Sequence, residues 1–151
     1  MVDQSIKTWN LPPEEIVLEI AESSMIVDAE RSVAILTRLK GIGVQLSIDD
    51  FGSGFSSLAH LRRFPLDELK IDRPFIAAFI AEKPDAALVR SVIDIGRHFG
   101  MRVVAEGVET EAARAELARL GCGYAQGHLW SPALPEPQLR QWWAAHGAGN
   151  A

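Results

Sequence analysis

A length of 151 residues suits one domain, and 48% hydrophobic with 23% charged residues is globular rather than disordered composition. Acids outnumber bases 20 to 15 for a net charge of −5, which argues against a protein that binds by neutralising a nucleic-acid backbone. The single cysteine, Cys122, excludes internal disulfides and a multi-cysteine metal site. The longest apolar stretch, Phe75 to Ala81, is far short of the ~20 residues of a membrane helix, and residues 1–10 lack the apolar core of a signal peptide. The expectation is a cytoplasmic protein with no membrane segment and no nucleic-acid polymer as partner.

Val2, Ile6 and Trp9 are spaced by four and then three, the pattern of a helix that Leu11-Pro12-Pro13 stops. Ile16 to Ile20 is nearly all apolar and predicts a strand covered on both faces. Asp28 is placed to cap a helix carrying Val33, Ile35, Leu36 and Leu39 and ending at Gly41. A second strand spans Val44 to Ile48 and terminates in Asp49-Asp50. A Gly/Ser loop at 52–57 and a short helix then lead to a third strand, Leu66 to Ile71.

Pro74 suits the first turn of the next helix. Pro84-Asp85 opens another, with Leu88, Val89, Val92, Ile93 and Ile95 running to Gly100. Met101 to Ala105 predicts a fourth strand, and Thr110 the cap of a helix ending at Leu120-Gly121. Cys122 to Ala125 predicts a fifth strand, and a last helix starts near Pro137 and carries Trp142 and Trp143. Apolar strands alternating with helices indicate parallel βα units, in a barrel or a doubly wound sheet. A full barrel takes about 250 residues and eight strands, more than five predicted strands supply.

Acids mark the carboxyl ends of the strands: Glu19 and Glu22, Asp49-Asp50, Lys70-Ile71-Asp72, Glu106 and Glu109, with Gln126 on the fifth. In a parallel sheet these ends converge on the face where active sites form. Carboxylates crowded on one rim repel unless a cation joins them, and hard oxygen donors suit Mg²⁺, Mn²⁺ or Ca²⁺. One strand-end acid is ordinarily a helix cap, and Glu22 and Glu109 are also explained that way. Recurrence on four consecutive strands, with a lysine at an apolar strand end, points to a site.

Other signals are weaker. Asp50-Phe51-Gly52 spells a kinase metal-binding tripeptide without the companion kinase motifs. The glycines from Gly121 to Gly127 miss dinucleotide spacing. Cys122 in an apolar strand predicts a packed residue rather than a nucleophile. His60, His98, His128 and His146 have no ligand spacing, so a triad hydrolase is not supported.

Five segments in order, Leu18-Glu19-Ile20-Ala21-Glu22-Ser23, Asp49 to Leu58, Leu69 to Arg73, Val104 to Thr110 and Gly121 to Gly127, closely resemble EAL-domain proteins, over about Leu11 to Trp143. The resemblance implies a TIM-like barrel that hydrolyses cyclic di-GMP to linear pGpG with two Mg²⁺ or Mn²⁺ ions. It implies that Glu19 binds the first metal, that Asp49 bridges the two, and that Asp50 and Glu106 hold the second. Lys70 would orient the attacking water, making Lys70 and Glu106 the catalytic pair, while Gln126 would line the water and substrate side. Glu22 would steady the Asp50–Ser57 loop from behind, with Glu109 another supporting carboxylate.

The chain departs from that pattern. The Glu-Ala-Leu motif and the strand bearing a ligand asparagine are missing, and with them a substrate-binding arginine. Phe55, Pro74 and Pro132-Ala133 are smaller departures. The expected fold is therefore α/β, a partial TIM-like barrel of about five parallel strands lacking the first strands of the full barrel. Residues 1–10 would be the tail of a helix from the missing N-terminal part, 11–146 the C-terminal portion of an EAL-type domain, and 147–151 a disordered tail. With its first-metal site incomplete, the isolated chain is expected to turn over little or no cyclic di-GMP. The expected partner is a second copy, since family members tend to dimerise near the Asp50–Ser57 loop, or a chain supplying the missing strands. The alternative is a non-catalytic remnant that binds nucleotide or protein. A third, an unrelated metal-dependent barrel of enolase type, fits the five ordered segments poorly.

Overall fold

Short apolar runs, punctuated by proline, glycine and paired acids, become the strands of one sheet, and the longer amphipathic runs between them become helices. A computed structural model of the chain describes residues 2–26, 28–52, 61–81 and 83–146. The order is α1 (Val2–Trp9), a 3₁₀ turn (Pro13–Glu15), β1 (Val17–Ala21), α2 (Glu22–Ile26), α3 (Ala29–Lys40) and β2 (Gln45–Phe51). There follow β3 (Glu68–Ile71), α4 (Arg73–Ala81), α5 (Lys83–Phe99), β4 (Arg102–Glu106), α6 (Glu111–Leu120), β5 (Tyr124–Gln126) and α7 (Glu136–His146). Two caps act as the sequence predicts. The Asp28 carboxylate accepts the Arg31 N–H, and the Thr110 hydroxyl accepts the Ala113 N–H.

All five strands are parallel and lie in sequential order, β1-β2-β3-β4-β5. This is the order of consecutive strands in a β/α barrel, and the fold is α/β with one five-stranded parallel sheet. Register partners share a face, so the pairing divides the side chains into two sets. Leu46, Ile48, Leu69, Ile71, Val103 and Ala105 point outward, and all are buried with Met25, Leu36, Ile76, Phe79, Val89, Ile93 and Leu117. That is the core, packed between sheet and helices. The other face carries Glu19, Gln45, Ser47, Asp49, Glu68, Lys70, Arg102, Val104, Glu106 and Gln126, a predominantly polar set.

Asp67 fixes the sheet at its amino end. Its carboxylate accepts from Lys40 Nζ and from the Leu46 N–H, each at 2.8 Å, and its carbonyl accepts the Arg102 N–H at 2.9 Å. One residue, through its carboxylate and its carbonyl, thus ties α3, β2 and β4 to the start of β3.

Several expectations are corrected. β1 is not covered on both faces: it is an edge strand, with Val17 38% exposed. It starts one residue later than expected and runs into α2, a five-residue helix the apolar pattern does not announce. β2 and β4 continue through their acids, so Asp49, Asp50 and Glu106 lie on strands rather than beyond them. Cys122 precedes β5 and is half-buried. Most of the expected Gly/Ser loop and short helix, with His60, falls in residues 53–60, outside the described residues, as does the expected tail at 147–151. Among the described residues no helix is long and apolar enough to cross a membrane.

Candidate functional site

Two consecutive aspartates on a regular strand would point to opposite faces. β2 avoids this with a bulge: Ile48 pairs with Leu69 and Phe51 with Ile71, so Asp49 and Asp50 together stand opposite one residue, Lys70. The extra residue is absorbed by Asp50, whose φ of 57° lies in the left-handed region that aspartate tolerates better than most side chains. The Asp50 N–H donates to the Asp49 carboxylate at 3.0 Å and helps hold the kink.

Lys70 is the hub. Its Nζ lies 2.8 Å from Glu19 Oε1 on β1, 2.5 Å from Glu106 Oε1 on β4 and 3.9 Å from Asp49 Oδ1 on β2. Carboxylates from three strands thus converge on one ammonium, although Glu19 and Lys70 are 51 positions apart in sequence. The lysine side chain is only 5% exposed, whereas that of Glu19 is 51% exposed. Burial alone would lower the lysine's pKa, but its hydrogen bonds to Glu106 and Glu19, and their charges, outweigh burial and hold it above its ordinary value. Lys70 is therefore a cation throughout the neutral range.

Asp50 lies at the surface with its carboxyl raised above the usual range. The Asp49 charge beside it contributes most, then burial, then the charge of Asp72, while Lys70 pulls the other way. Negative charge is in excess here. Asp72 is the site residue that the strand-end pattern left without a role. It lies just past the end of β3, close enough for its charge to act on Asp50, and its place beside the strand-end lysine is the available signal.

The other expected residues are placed less centrally. Gln126 pairs in register with Glu106 and is exposed at the end of β5. Glu22 is buried and accepts the Gly52 N–H at 3.0 Å, just behind the bulge. Glu109 pairs with Arg73 at 2.6 Å, both largely exposed.

Deeper on the same face, Arg102 donates to the Gln45 side-chain oxygen, lies 3.1 Å from Glu68 and sits 5.8 Å from the centre of the Tyr124 ring. This layer floors the acidic cluster. Between the two, Ser47 is fully buried, and its hydroxyl has no hydrogen-bond partner among the described residues.

Among the described residues no three acidic, histidine or cysteine side chains form a ligand group by themselves; the acids gather instead around the Lys70 ammonium. A point where hard carboxylate oxygens from several strands already meet positive charge fits Mg²⁺ or Mn²⁺ by donor chemistry.

The family model for the EAL domain matches residues 2–133. The bifunctional diguanylate cyclase/cyclic di-GMP phosphodiesterase MucR of Pseudomonas aeruginosa is 47% identical over 138 residues, covering 91% of this chain and 20% of MucR. The solved MucR phosphodiesterase, a cyclic di-GMP complex, superposes with a TM-score of 0.88 at 45% identity, over 91% of this chain and 56% of that one. Klebsiella pneumoniae BlrP1, solved as manganese and as calcium complexes with cyclic di-GMP, gives 0.80 at 33% identity, over 87% of this chain and 33% of that one. The chain thus spans one-fifth of the MucR protein and a little over half of its solved phosphodiesterase chain.

Proposed function

The chain belongs to the EAL-domain family, and from that membership we propose that it carries most of a divalent-metal site for hydrolysing cyclic di-GMP to linear pGpG. The observation that carries this reading is the convergence of Glu19, Asp49 and Glu106 on one buried point, marked by Lys70 Nζ. Glu19 would hold one Mg²⁺ or Mn²⁺ ion, Asp49 would bridge, and Asp50 with Glu106 would hold the second. When bound, such a pair of cations lowers the pKa of water and neutralises charge in an in-line phosphoryl displacement.

The chain's own residues divide the remaining work. Lys70, kept cationic by its carboxylate neighbours, orients the attacking water and offsets phosphoryl charge. Gln126, exposed beside Glu106, offers an amide to water or substrate. Glu22 holds the Gly52 turn and so the approach to the bulge; Glu109 anchors Arg73 at the rim. The floor of Arg102, Gln45, Glu68 and Tyr124 closes the cluster from below. A cytoplasmic setting suits the unpaired Cys122.

The exposure of Glu19 on the edge strand supports the second reading, a non-catalytic remnant that binds nucleotide or protein. A site open on that side lets water compete for every charge, and loss of one preorganised charge stabiliser costs about 10²–10³ in rate. Incubation with cyclic di-GMP and Mg²⁺ or Mn²⁺, followed by chromatographic detection of pGpG, decides between the two. Slow turnover abolished by Asp49→Asn supports the phosphodiesterase. Nucleotide binding without pGpG supports the second reading, and the absence of both binding and pGpG would remove both as readings of a nucleotide site.

A further inference from the structure

The same geometry bears on how the cation site is kept when no metal is there. Four acids, Glu19, Asp49, Asp50 and Glu106, lie around one bulge and two strand ends, and their mutual repulsion would splay those ends apart. Lys70 prevents this. Its ammonium bonds Glu19 and Glu106 at 2.8 and 2.5 Å and faces Asp49 at 3.9 Å. Every one of those groups is a metal ligand in the reading above, on which this inference rests. An arriving divalent cation would meet a fixed positive charge at the centre of its own donor set.

We infer that Lys70 is the built-in occupant of the cation site, and that lysine and divalent cation compete for the carboxylates of Glu19 and Glu106. Two features make the exchange feasible. The lysine stem is four flexible carbons long, so Nζ can withdraw without moving β3. Glu19 and Asp49 keep 51% and 29% of their side chains exposed, giving hydrated cations a solvent-side approach. The arrangement has two consequences. The metal-free protein keeps its acids in place, and metal affinity is set lower than the donor set alone would give.

The test is Mn²⁺ binding by the full chain, read from the free-ion electron paramagnetic resonance signal. The proteins are wild type, Lys70→Met, Lys70→Arg and the charge control Arg119→Gln, which removes one positive charge from an exposed pair on α6. Lys70→Met should bind Mn²⁺ roughly tenfold or more tightly, since a unit charge a few ångströms away strongly opposes a cation. Lys70→Arg and Arg119→Gln should stay near wild type. A Lys70→Met protein that folds only when Mn²⁺ is added supports the inference equally. Equal or weaker Mn²⁺ binding by Lys70→Met, with wild type still binding, overturns the competition and leaves the metal site standing. No binding by any of the four overturns both. A measurement on wild type avoids the variant altogether: the ¹⁵Nζ resonance of Lys70 should shift as Mg²⁺ is titrated in, and a resonance that stays put while Mg²⁺ binds overturns the inference.

Discussion

The carboxylate of Glu22 accepts the backbone N–H of Gly52 at 3.0 Å, joining the first turn of α2 to the end of the β2 bulge across 30 positions of sequence. Glu22 is 1% exposed, so water cannot replace it as the acceptor. Glu22→Ala should destabilise the fold by about 1–3 kcal/mol, the usual cost of leaving a buried partner unsatisfied. Glu22→Gln, which keeps a side-chain oxygen, should lose less. Urea unfolding midpoints check the order, and an alanine variant as stable as wild type would detach Glu22 from the bulge.

The bulge also explains what the sequence could and could not disclose. Strand positions and both caps follow from local patterns, because apolar runs and capping residues act within a few positions of themselves. The sharing of a site by Glu19, Lys70 and Glu106 is visible as a recurrence of charge at strand ends and through the five segments that resemble EAL domains. That Asp49 and Asp50 both oppose Lys70 was not legible, since strict alternation puts neighbours on opposite faces and only a register shift against β3 undoes it. The exposure of β1 departs from its apolar pattern for a related reason. Its apolar run describes strands flanked on both sides, and no property of Ile16 to Ile20 reports which neighbours pair with it.

Gly127 is a place where a methyl group has no room. A Cβ there would lie 2.1 Å from the Val108 carbonyl oxygen and 2.4 Å from its nitrogen, both backbone atoms. The close approach lets the Val108 N–H donate to the Gln126 carbonyl and the Leu129 N–H to the Val108 carbonyl. Gly127→Ala should therefore cost about 1–3 kcal/mol, as overpacking does, and displace Gln126 from beside Glu106. Gly123, where an added Cβ meets nothing within 4 Å, supplies the control. Gly123→Ala should leave the melting temperature nearly unchanged, and equal losses from the two variants would refute the steric argument.

Cys122 yields a pH prediction. Burial pushes its thiol pKa up, and backbone hydrogen bonds only partly oppose this. The native state thus keeps its proton at pH values where the unfolded chain, with an ordinary thiol near about 8.5, has released it. The unfolded state then binds fewer protons, so stability falls as pH rises from the ordinary thiol value through the raised one, and is unaffected below it. Cys122→Ser should flatten the stability profile above about pH 8. Iodoacetamide should modify native Cys122 more slowly than the urea-unfolded chain at the same pH. Equal alkylation rates would mean that the thiol is not shielded.

The last prediction concerns the edge of the sheet. Among the described residues β1 pairs only with β2, so its other side presents backbone donors and acceptors that none of them takes up. Beside it runs a groove of about 350 Å³ lined by Val2, Ser5, Ile6, Leu11, Ile16 and Leu18, with Trp9 and Leu11 exposed nearby. No lysine or proline within β1 blunts the strand. Two copies that meet at β1 across a two-fold axis would pair antiparallel, each satisfying the other's edge. Self-association that grows with concentration is therefore expected from light scattering. Val17→Lys should weaken it, because a charge on an edge strand opposes pairing. A strand supplied by the rest of an EAL-type domain would cover the same edge in parallel, so a longer chain containing that part should not associate through β1. A monodisperse monomer of this chain at every concentration would show that the β1 edge does not pair with a second copy.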